Sequence, residues 1–212
     1  MKLFPLLSAF VLVLLVSGCT SSYRVVQVPQ YGADLYPRSQ TRAGVTVAID
    51  EIKAPERVER LFGADLIKQG ILPVNVVVSN FGKQRLLLKP SDILLHMGAE
   101  VIDPVPVEMV VALAKGQKSF LRASTKEEVD KYFEKTTFNE TVLSPGETYR
   151  GVMFFALPAW KKRQDRFFTS WSVYRDGAAR IRVAFTILDS GERVVFAPFP
   201  ITLPENKDGF SY

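Results

Sequence analysis

Two residue types that often serve as a catalytic nucleophile or base occur once each in this 212-residue sequence: Cys19 and His96. A cysteine thiolate is a strong nucleophile, and a histidine exchanges a proton near neutral pH. One histidine cannot build a metal site of several histidines, and a serine–histidine–aspartate arrangement could use only His96. His96 lies in the strand-like run ILLHMG with no nucleophile-elbow sequence nearby. We expect it to be a strand histidine that faces solvent or a polar neighbour.

The carboxylates offer no clearer chemistry. They are scattered, without the spacing of a calcium loop or of a catalytic acid pair, and no glycine loop for phosphate is present. The candidates are Asp50, Glu51, Asp65, Asp92, Glu100 and Asp103. The sequence therefore predicts no enzyme, no metal site and no cofactor, with an unrecognised hydrolase that uses His96 as one alternative.

The N-terminus has the pattern of an export signal. Lys2 precedes an apolar stretch from Leu3 to Val16 that only Pro5 and Ser8 interrupt. As a helix this stretch would span roughly 21 Å, which is shorter than the ~30 Å hydrocarbon core of a bilayer. We therefore interpret it as a signal peptide rather than a permanent span.

The four residues Val16-Ser17-Gly18-Cys19 resemble the lipobox of bacterial lipoproteins. The resemblance implies that residues 1–18 are removed and that Cys19 is acylated and becomes the mature N-terminus. The alternative is an ordinary signal peptide with an incidental cysteine. Thr20 follows, whereas an Asp there would resemble the inner-membrane retention signal, so outer-membrane placement is favoured if the organism is Gram-negative.

Residues 19–42 are polar and contain Pro29, Gly32 and Pro37, which predicts a tether between the lipid and a folded domain at 43–205, with a tail at 206–212. The alternative is that part of the tether, such as YRVVQV, packs along the domain as an edge strand. The chain has 27 basic and 22 acidic residues, which are interspersed. We interpret these charges as solvating the surface, with the small basic excess attracting an anionic surface. The export signal excludes a nucleic-acid partner.

The folded part is predicted to be mainly β. Short alternating or apolar runs separated by turn residues indicate an antiparallel sandwich or barrel. The runs are VTVAIDEI (45–52), ILPVNVVVSN (71–80), QRLLLKP (84–90), DILLHMG (92–98), FNETVL (138–143), TYRGVMFFALP (148–158), SWSVYR (170–175), ARIRVAFTIL (179–188) and RVVFAPFPITL (193–203). Helical spacing of apolar residues predicts a short helix near 55–63 and a partly helical insertion near 104–137.

Two segments resemble the telokin-like, immunoglobulin-like domains of bacterial lipoproteins and cell-surface proteins: ILPVNVVVSNFGKQRLLLKPSDILLHMGAEV and TVLSPGETYRGVMFFALP. The matching positions are Asn80, Gly82, Pro145, Gly146, Glu147, Gly151, Phe154 and Phe155. The resemblance covers about half of the mature chain and implies an immunoglobulin-like sandwich. Its motifs are structural, so it implies little about function.

The segment AWKKRQDRFFTSW mixes cations with aromatic rings, which can bind a headgroup layer or a partner surface. The alternative interpretation is a solvated loop whose aromatic side chains pack back into the core. The candidate patch consists of Trp160, Lys161, Lys162, Arg163, Arg166, Phe167 and Trp171.

These patterns together predict a lipid-anchored envelope protein whose sandwich is a non-catalytic interaction or assembly module with an envelope protein partner. The main alternative is an accessory lipoprotein that binds a small ligand or a polysaccharide through Trp160, Trp171 and the insertion.

Overall fold

The computed structural model describes residues 31–116, 126–157 and 179–204. Within these ranges the protein is mainly β, with two antiparallel sheets and three α-helices. The strands are β1 Ser39–Arg42, β2 Val45–Glu51, β3 Ile71–Asn80, β4 Leu86–Leu88, β5 Ile93–Met97, β6 Glu100–Ile102, β7 Thr141–Leu143, β8 Thr148–Ala156, β9 Ala179–Ile187, β10 Arg193–Val195 and β11 Phe199–Pro200. The helices are α1 Pro55–Phe62, α2 Val107–Lys115 and α3 Lys126–Thr136. The predicted antiparallel sandwich is confirmed.

The four-stranded sheet has the order β1-β2-β3-β8. Its central strand β3 pairs with β2 from Val45 opposite Asn80, and with β8 from Ile71 opposite Ala156. All ten β3 residues are buried, including Asn75. Burial on both faces explains why this strand is a nearly continuous apolar run rather than an alternating one.

The seven-stranded sheet has the order β6-β5-β9-β4-β7, and β10 and β11 also pair with β9. Buried and more exposed residues largely alternate along its strands, because one face meets the core and the other faces outward. In β5 the buried positions are Ile93, Leu95 and Met97, and the half-buried ones are Leu94 and His96.

The main core lies between the two sheets. The four-stranded sheet contributes Val47, Val74 and Val76 to it, together with Phe155 of β8. The other side contributes the aromatic rings of Phe185, Phe196 and Phe199. The Phe185 and Phe196 ring centroids are 5.5 Å apart.

A second apolar layer covers the outer face of the four-stranded sheet. The helices contribute Val58, Leu61, Phe62, Val110, Ala114, Val129 and Phe133 to it. Phe62 packs edge-on against Phe154 of β8, with centroids 5.6 Å apart. The short helix predicted near 55–63 is therefore α1, and the predicted insertion forms α2 and α3.

The insertion packs on the sandwich and is attached to β8 at both ends. The Val105 N–H donates to the Phe154 carbonyl at 2.7 Å, and the Phe138 N–H donates to the Val152 carbonyl at 3.0 Å. Both ends of the insertion thus complete the edge of one strand, where unpaired backbone groups would otherwise remain.

Part of the predicted tether belongs to the fold. A 3₁₀ turn at Ala33–Leu35 buries Ala33 completely, and β1 pairs with β2 from Ser39 opposite Ala48. The folded part therefore starts N-terminal to the predicted boundary at 43. Three segments with predictions lie outside the described residues: the run YRVVQV, the strand-like run SWSVYR and the tail at 206–212. No helix in the described ranges is long and apolar enough to cross a membrane.

Candidate functional site

Most of the predicted site residues fall outside the described residues. These are Cys19, Trp160, Lys161, Lys162, Arg163, Arg166, Phe167 and Trp171. The predicted binding patch belongs to the connection between β8 and β9, and both the lipidation site and this patch stay predictions.

His96 lies on the outward face of β5, opposite Val101 of β6 and Arg180 of β9. Its Nε2 atom is buried and has no hydrogen-bond partner within the described ranges. No described serine or carboxylate is therefore paired with this nitrogen, as a catalytic triad would require.

The buried carboxylate of Glu51 has a structural role. The Arg38 guanidinium donates to both of its oxygens, and the Thr202 N–H lies 3.4 Å from Oε1. The Glu51 carboxylate thus links three parts of the chain: the segment before β1, the end of β2 and the segment after β11. Within the parts of the chain that the structure describes, no three His, Cys, Asp or Glu side chains cluster as metal ligands would.

Asp50 attaches α1 to the outer face of the four-stranded sheet. Arg57 of α1 donates to both Asp50 carboxylate oxygens, with Nη1 3.0 Å from Oδ1, and this hydrogen bonding raises the pKa of Arg57. Beside them, burial raises the pKa of Tyr36, whose hydroxyl oxygen accepts from Asn75 Nδ2 at 3.4 Å. The polar groups on this face therefore hold α1 and the N-terminal segment in place.

One buried side chain, Asn80, joins the turns at one end of the sandwich. Its Nδ2 donates to the carbonyls of Gln84 at 2.9 Å and Leu143 at 3.2 Å, and its Oδ1 accepts from the Gly82 N–H at 3.0 Å. Its carbonyl also accepts from the Gly146 N–H at 2.7 Å. The Asn-x-Gly and Pro-Gly-Glu turns found in the sequence therefore contact one another through Asn80.

This end of the sandwich is named the entry end, because the described chain enters the fold here. It consists of the turn 43–44, the loop 81–85, the turns 144–147 and 188–192, and the segment 31–35. The Ala33 N–H donates to the Ser79 hydroxyl at 3.0 Å, which places the first described residues beside the end of β3.

The outward side of the seven-stranded sheet is the candidate interaction surface, and it is named the sheet face. Cross-strand pairing places its side chains in rows across the sheet. Its members are Leu87, Leu94, His96, Val101, Val142, Arg180, Arg182, Ala184, Thr186, Arg193, Val195 and Pro200.

The sheet face is basic, with three arginines and no acidic member. Arg193 donates to the Asp92 carboxylate at 2.6 Å. Arg180 and Arg182 are exposed, and the described part of the chain gives neither an ion-pair partner. They stand two residues apart on one strand, so their Cα atoms are about 6.6 Å apart. Two neighbouring guanidinium groups of this kind attract a carboxylate-bearing surface.

The sheet face also carries exposed apolar side chains. Val101 and Val142 keep 48% and 47% of their surface in water. They lie on β6 and β7, at the edge of the sheet away from β10 and β11. A surface with central arginines and flanking aliphatic groups has a composition that suits a protein interface.

An apolar groove lies where the insertion meets β8. It has a volume of about 240 Å³ and is lined by Pro90, Pro104, Val105, Pro106, Val107, Thr137, Phe138, Asn139, Val152, Met153 and Phe154. Small-molecule sites are usually roughly 300–1,000 Å³ and have several converging polar groups. The Asn139 amide donates to the carbonyls of Glu134 and Thr137, so the groove offers a ligand little polar recognition.

The sheet face was not among the sites predicted from sequence. The alternation Arg180-Ile181-Arg182 indicates two arginines on one strand face. The composition of the strands beside it depends on which strands pair with β9, and that is a property of the tertiary structure.

No family model and no curated protein matches this chain. Its fold is similar to that of the Bacillus subtilis protein YcdA, named a candidate lipoprotein, at 15% identity and a TM-score of 0.38, over 81% of this chain and 39% of that one. The chain thus spans less than half the length of YcdA. It is also similar to B. subtilis YjhA, at 8% identity and a TM-score of 0.38 over 70% of this chain and 79% of that one. A functionally unknown protein of Listeria monocytogenes is similar at 14% identity and a TM-score of 0.38, over 77% of this chain and 82% of that one. Likenesses this distant assign no function.

Proposed function

We propose that this protein is a lipid-anchored, non-catalytic module of the cell envelope that binds an acidic surface of another envelope protein through the sheet face. The observation that carries the proposal is that Arg180 and Arg182 are exposed side by side on a face with no acidic member, and that neither has an ion-pair partner among the described residues. The opposite outer face of the sandwich is covered by helices and the N-terminal segment, so the sheet face is the open broad surface of the described fold.

The anchoring part of the proposal rests on the sequence. The apolar stretch ending at Val16-Ser17-Gly18-Cys19 supports removal of residues 1–18 and acylation of Cys19. Thr20 supports the periplasmic face of the outer membrane in a Gram-negative cell. The telokin-like, immunoglobulin-like relationship belongs to the same proposal, and it is supported by the contacts between the Asn-x-Gly and Pro-Gly-Glu turns.

Mass spectrometry of the mature protein is expected to find Cys19 as the N-terminal residue with its sulfur and amine acylated. Cys19→Ser should leave the precursor uncleaved at this site and shift the protein out of the lipid-modified fraction. Ser17→Thr serves as the control, because it changes the adjacent sequence and keeps the thiol. A mature chain with an unmodified Cys19 or an intact Met1 contradicts the anchor.

Reversing two charges on the sheet face is expected to reduce partner capture about tenfold. The double variant Arg180→Glu/Arg182→Glu replaces two cations by two anions, so an acidic partner surface is repelled instead of attracted. The readout is the amount of protein that copurifies from gently solubilised envelopes after chemical cross-linking, measured by quantitative mass spectrometry.

The matched control is Lys131→Glu/Lys135→Glu on α3. Both lysines are exposed, lie one helical turn apart and have no ion pair within the described ranges, so the control makes the same charge change on another surface. Equal capture by the two double variants contradicts the sheet face as the binding site. A wild-type protein that stays without a partner contradicts the proposed function itself.

A further inference from the structure

Large apolar side chains are exposed at the entry end of the sandwich. Phe81 keeps 62% of its surface in water, Tyr31 57% and Leu188 36%. They come from three separate parts of the chain, which converge because Phe81 follows β3, Leu188 follows β9 and Tyr31 leads into the contact between Ala33 and Ser79. Nothing in the proposed partner interaction uses them, since the sheet face lies on a broad side of the sandwich.

The loop that carries Phe81 is held rigidly by backbone contacts. The Phe81 N–H donates to the Gly44 carbonyl at 2.9 Å. The residue directly before it is the buried Asn80, whose side chain makes the three hydrogen bonds described above. A Cβ atom on Gly44 would lie 2.9 Å from the Gly82 Cα, so the two turns are in close contact. These contacts hold the backbone of Phe81 at the surface, where its side chain is exposed.

The charged side chains at the entry end do not favour an occupant of either charge. Lys83 is exposed, Arg85 pairs with Asp189 at 3.2 Å, and Glu147 accepts from the Ser144 N–H at 2.8 Å. Acidic and basic groups are thus mixed at this end. An occupant must therefore be recognised by apolar contact.

The area of the exposed apolar surface indicates which kind of occupant it could bind. An aromatic side chain buries about 150–250 Å². With the smaller share of Leu188 added, the exposed fractions of these three side chains amount to roughly 300 Å². A specific protein interface needs about 800 Å² from each partner. A patch of this size is sufficient only where a tether already holds the occupant close by, because a tether raises the effective concentration.

The covalent link from a lipidated Cys19 to Tyr31 would be such a tether. Twelve peptide units separate Cys19 from Tyr31, and they span at most about 40–43 Å when fully extended. The first described residue, Tyr31, lies at the entry end, so a lipid on Cys19 would hold this end within reach of the bilayer. Aromatic and aliphatic side chains gain free energy in the interfacial region of a bilayer.

We propose that the entry end docks on the phospholipid bilayer, with Phe81, Tyr31 and Leu188 in the interfacial region, an inference that rests on the proposed lipid anchor. The strands then stand upright on the membrane, and the sheet face points sideways along it. A neighbouring envelope protein on the same membrane can approach Arg180 and Arg182 in that orientation.

A fluorescent probe at Phe81 tests this orientation in the full lipidated protein. Because Cys19 is the only cysteine and is acylated in the proposal, Phe81→Cys provides a unique thiol for an environment-sensitive fluorophore. The labelled protein is reconstituted in phosphatidylcholine vesicles and in phosphatidylcholine–phosphatidylglycerol vesicles, each with nitroxide-labelled lipid. We expect the nitroxides to quench at least half of the emission, with less than a twofold difference between the two compositions.

Val101→Cys is the matched control, since it is similarly exposed but lies on β6 opposite His96, near the end of β5 that is away from the entry end. We expect little quenching at this position, and Leu188→Cys should behave like Phe81→Cys. Equal quenching at Phe81 and Val101 overturns the orientation. So does a Phe81 probe that is shielded from water but not quenched by lipid, which would indicate a second copy of the chain or another protein at this end.

The outcomes also separate the two proposals. A protein that is lipidated and incorporated but unquenched at Phe81 overturns only the docking of the entry end. A mature N-terminus without lipid removes the anchor, and the docking falls with it. Cooperative thermal unfolding of each cysteine variant confirms that the fold is intact.

Discussion

Replacing Asn80 with alanine is expected to lower the free energy of unfolding by about 3 kcal/mol, because three side-chain hydrogen bonds are lost in a buried site. The Asn80 residue is 1% exposed, so water cannot readily replace its amide at the carbonyls of Gln84 and Leu143. For a chain of this size, that loss corresponds to a decrease in Tm of roughly 6–12 °C. Equilibrium urea unfolding of the mature protein, followed by near-UV circular dichroism, measures it.

Asn80→Asp identifies which hydrogen bonds matter. The carboxylate keeps the acceptor for the Gly82 N–H but directs negative charge at two carbonyl oxygens. We therefore expect it to be at least as destabilising as alanine. Asn139→Ala is the control, because Asn139 also donates to two carbonyls but is exposed, and its loss should cost less than about 1 kcal/mol. Equal effects at Asn80 and Asn139 would show that burial of the Asn80 amide contributes nothing.

Gly151→Ala is expected to destabilise the protein by about 3–5 kcal/mol, through a steric clash with backbone atoms. A Cβ atom at Gly151 would lie 2.4 Å from the Phe138 Cα and 2.6 Å from the Phe138 nitrogen. A backbone cannot move aside as the end of a flexible side chain can. The Phe138 segment would have to leave β8, which breaks the hydrogen bond from the Phe138 N–H to the Val152 carbonyl.

Hydrogen exchange read residue by residue locates this effect. In Gly151→Ala the amide protons of Phe138 and α3 should exchange faster, while those at the centre of β9 stay protected. Gly116→Ala is the matched control, because its Cβ would lie 3.4 Å from the nearest atom, the Leu113 carbonyl oxygen, and its backbone is already helical. A Gly151 variant as stable as the Gly116 variant would contradict the close packing of Phe138 on β8.

Elements with strong local signals could be predicted from the sequence. The apolar run 71–80 coincides with β3, and helical spacing near 55–63 corresponds to α1. In α1 the proline at the first turn and the glycine that follows Phe62 mark both ends of the helix. Such signals depend on the element itself and require no knowledge of its neighbours.

Elements that depend on neighbours could not be predicted in the same way. The sequence of β1, SQTR, has no apolar alternation, and the strand forms because β2 offers it backbone partners from Ala48 to Val45. The sheet face is a similar case. Arg180 is visible in the sequence, but its neighbours His96 and Pro200 are set by the pairing of distant strands with β9.

The attachment of the helical insertion has a consequence for how this fold can vary. Its first residues bridge to β8 at Phe155 and its last bridge at Val152, so the chain leaves the sandwich and returns to it at nearly the same place. The entropic cost of closing such an excursion grows only slowly with its length. Related chains could therefore exchange these two helices for a longer or shorter excursion and keep the strands on either side in register.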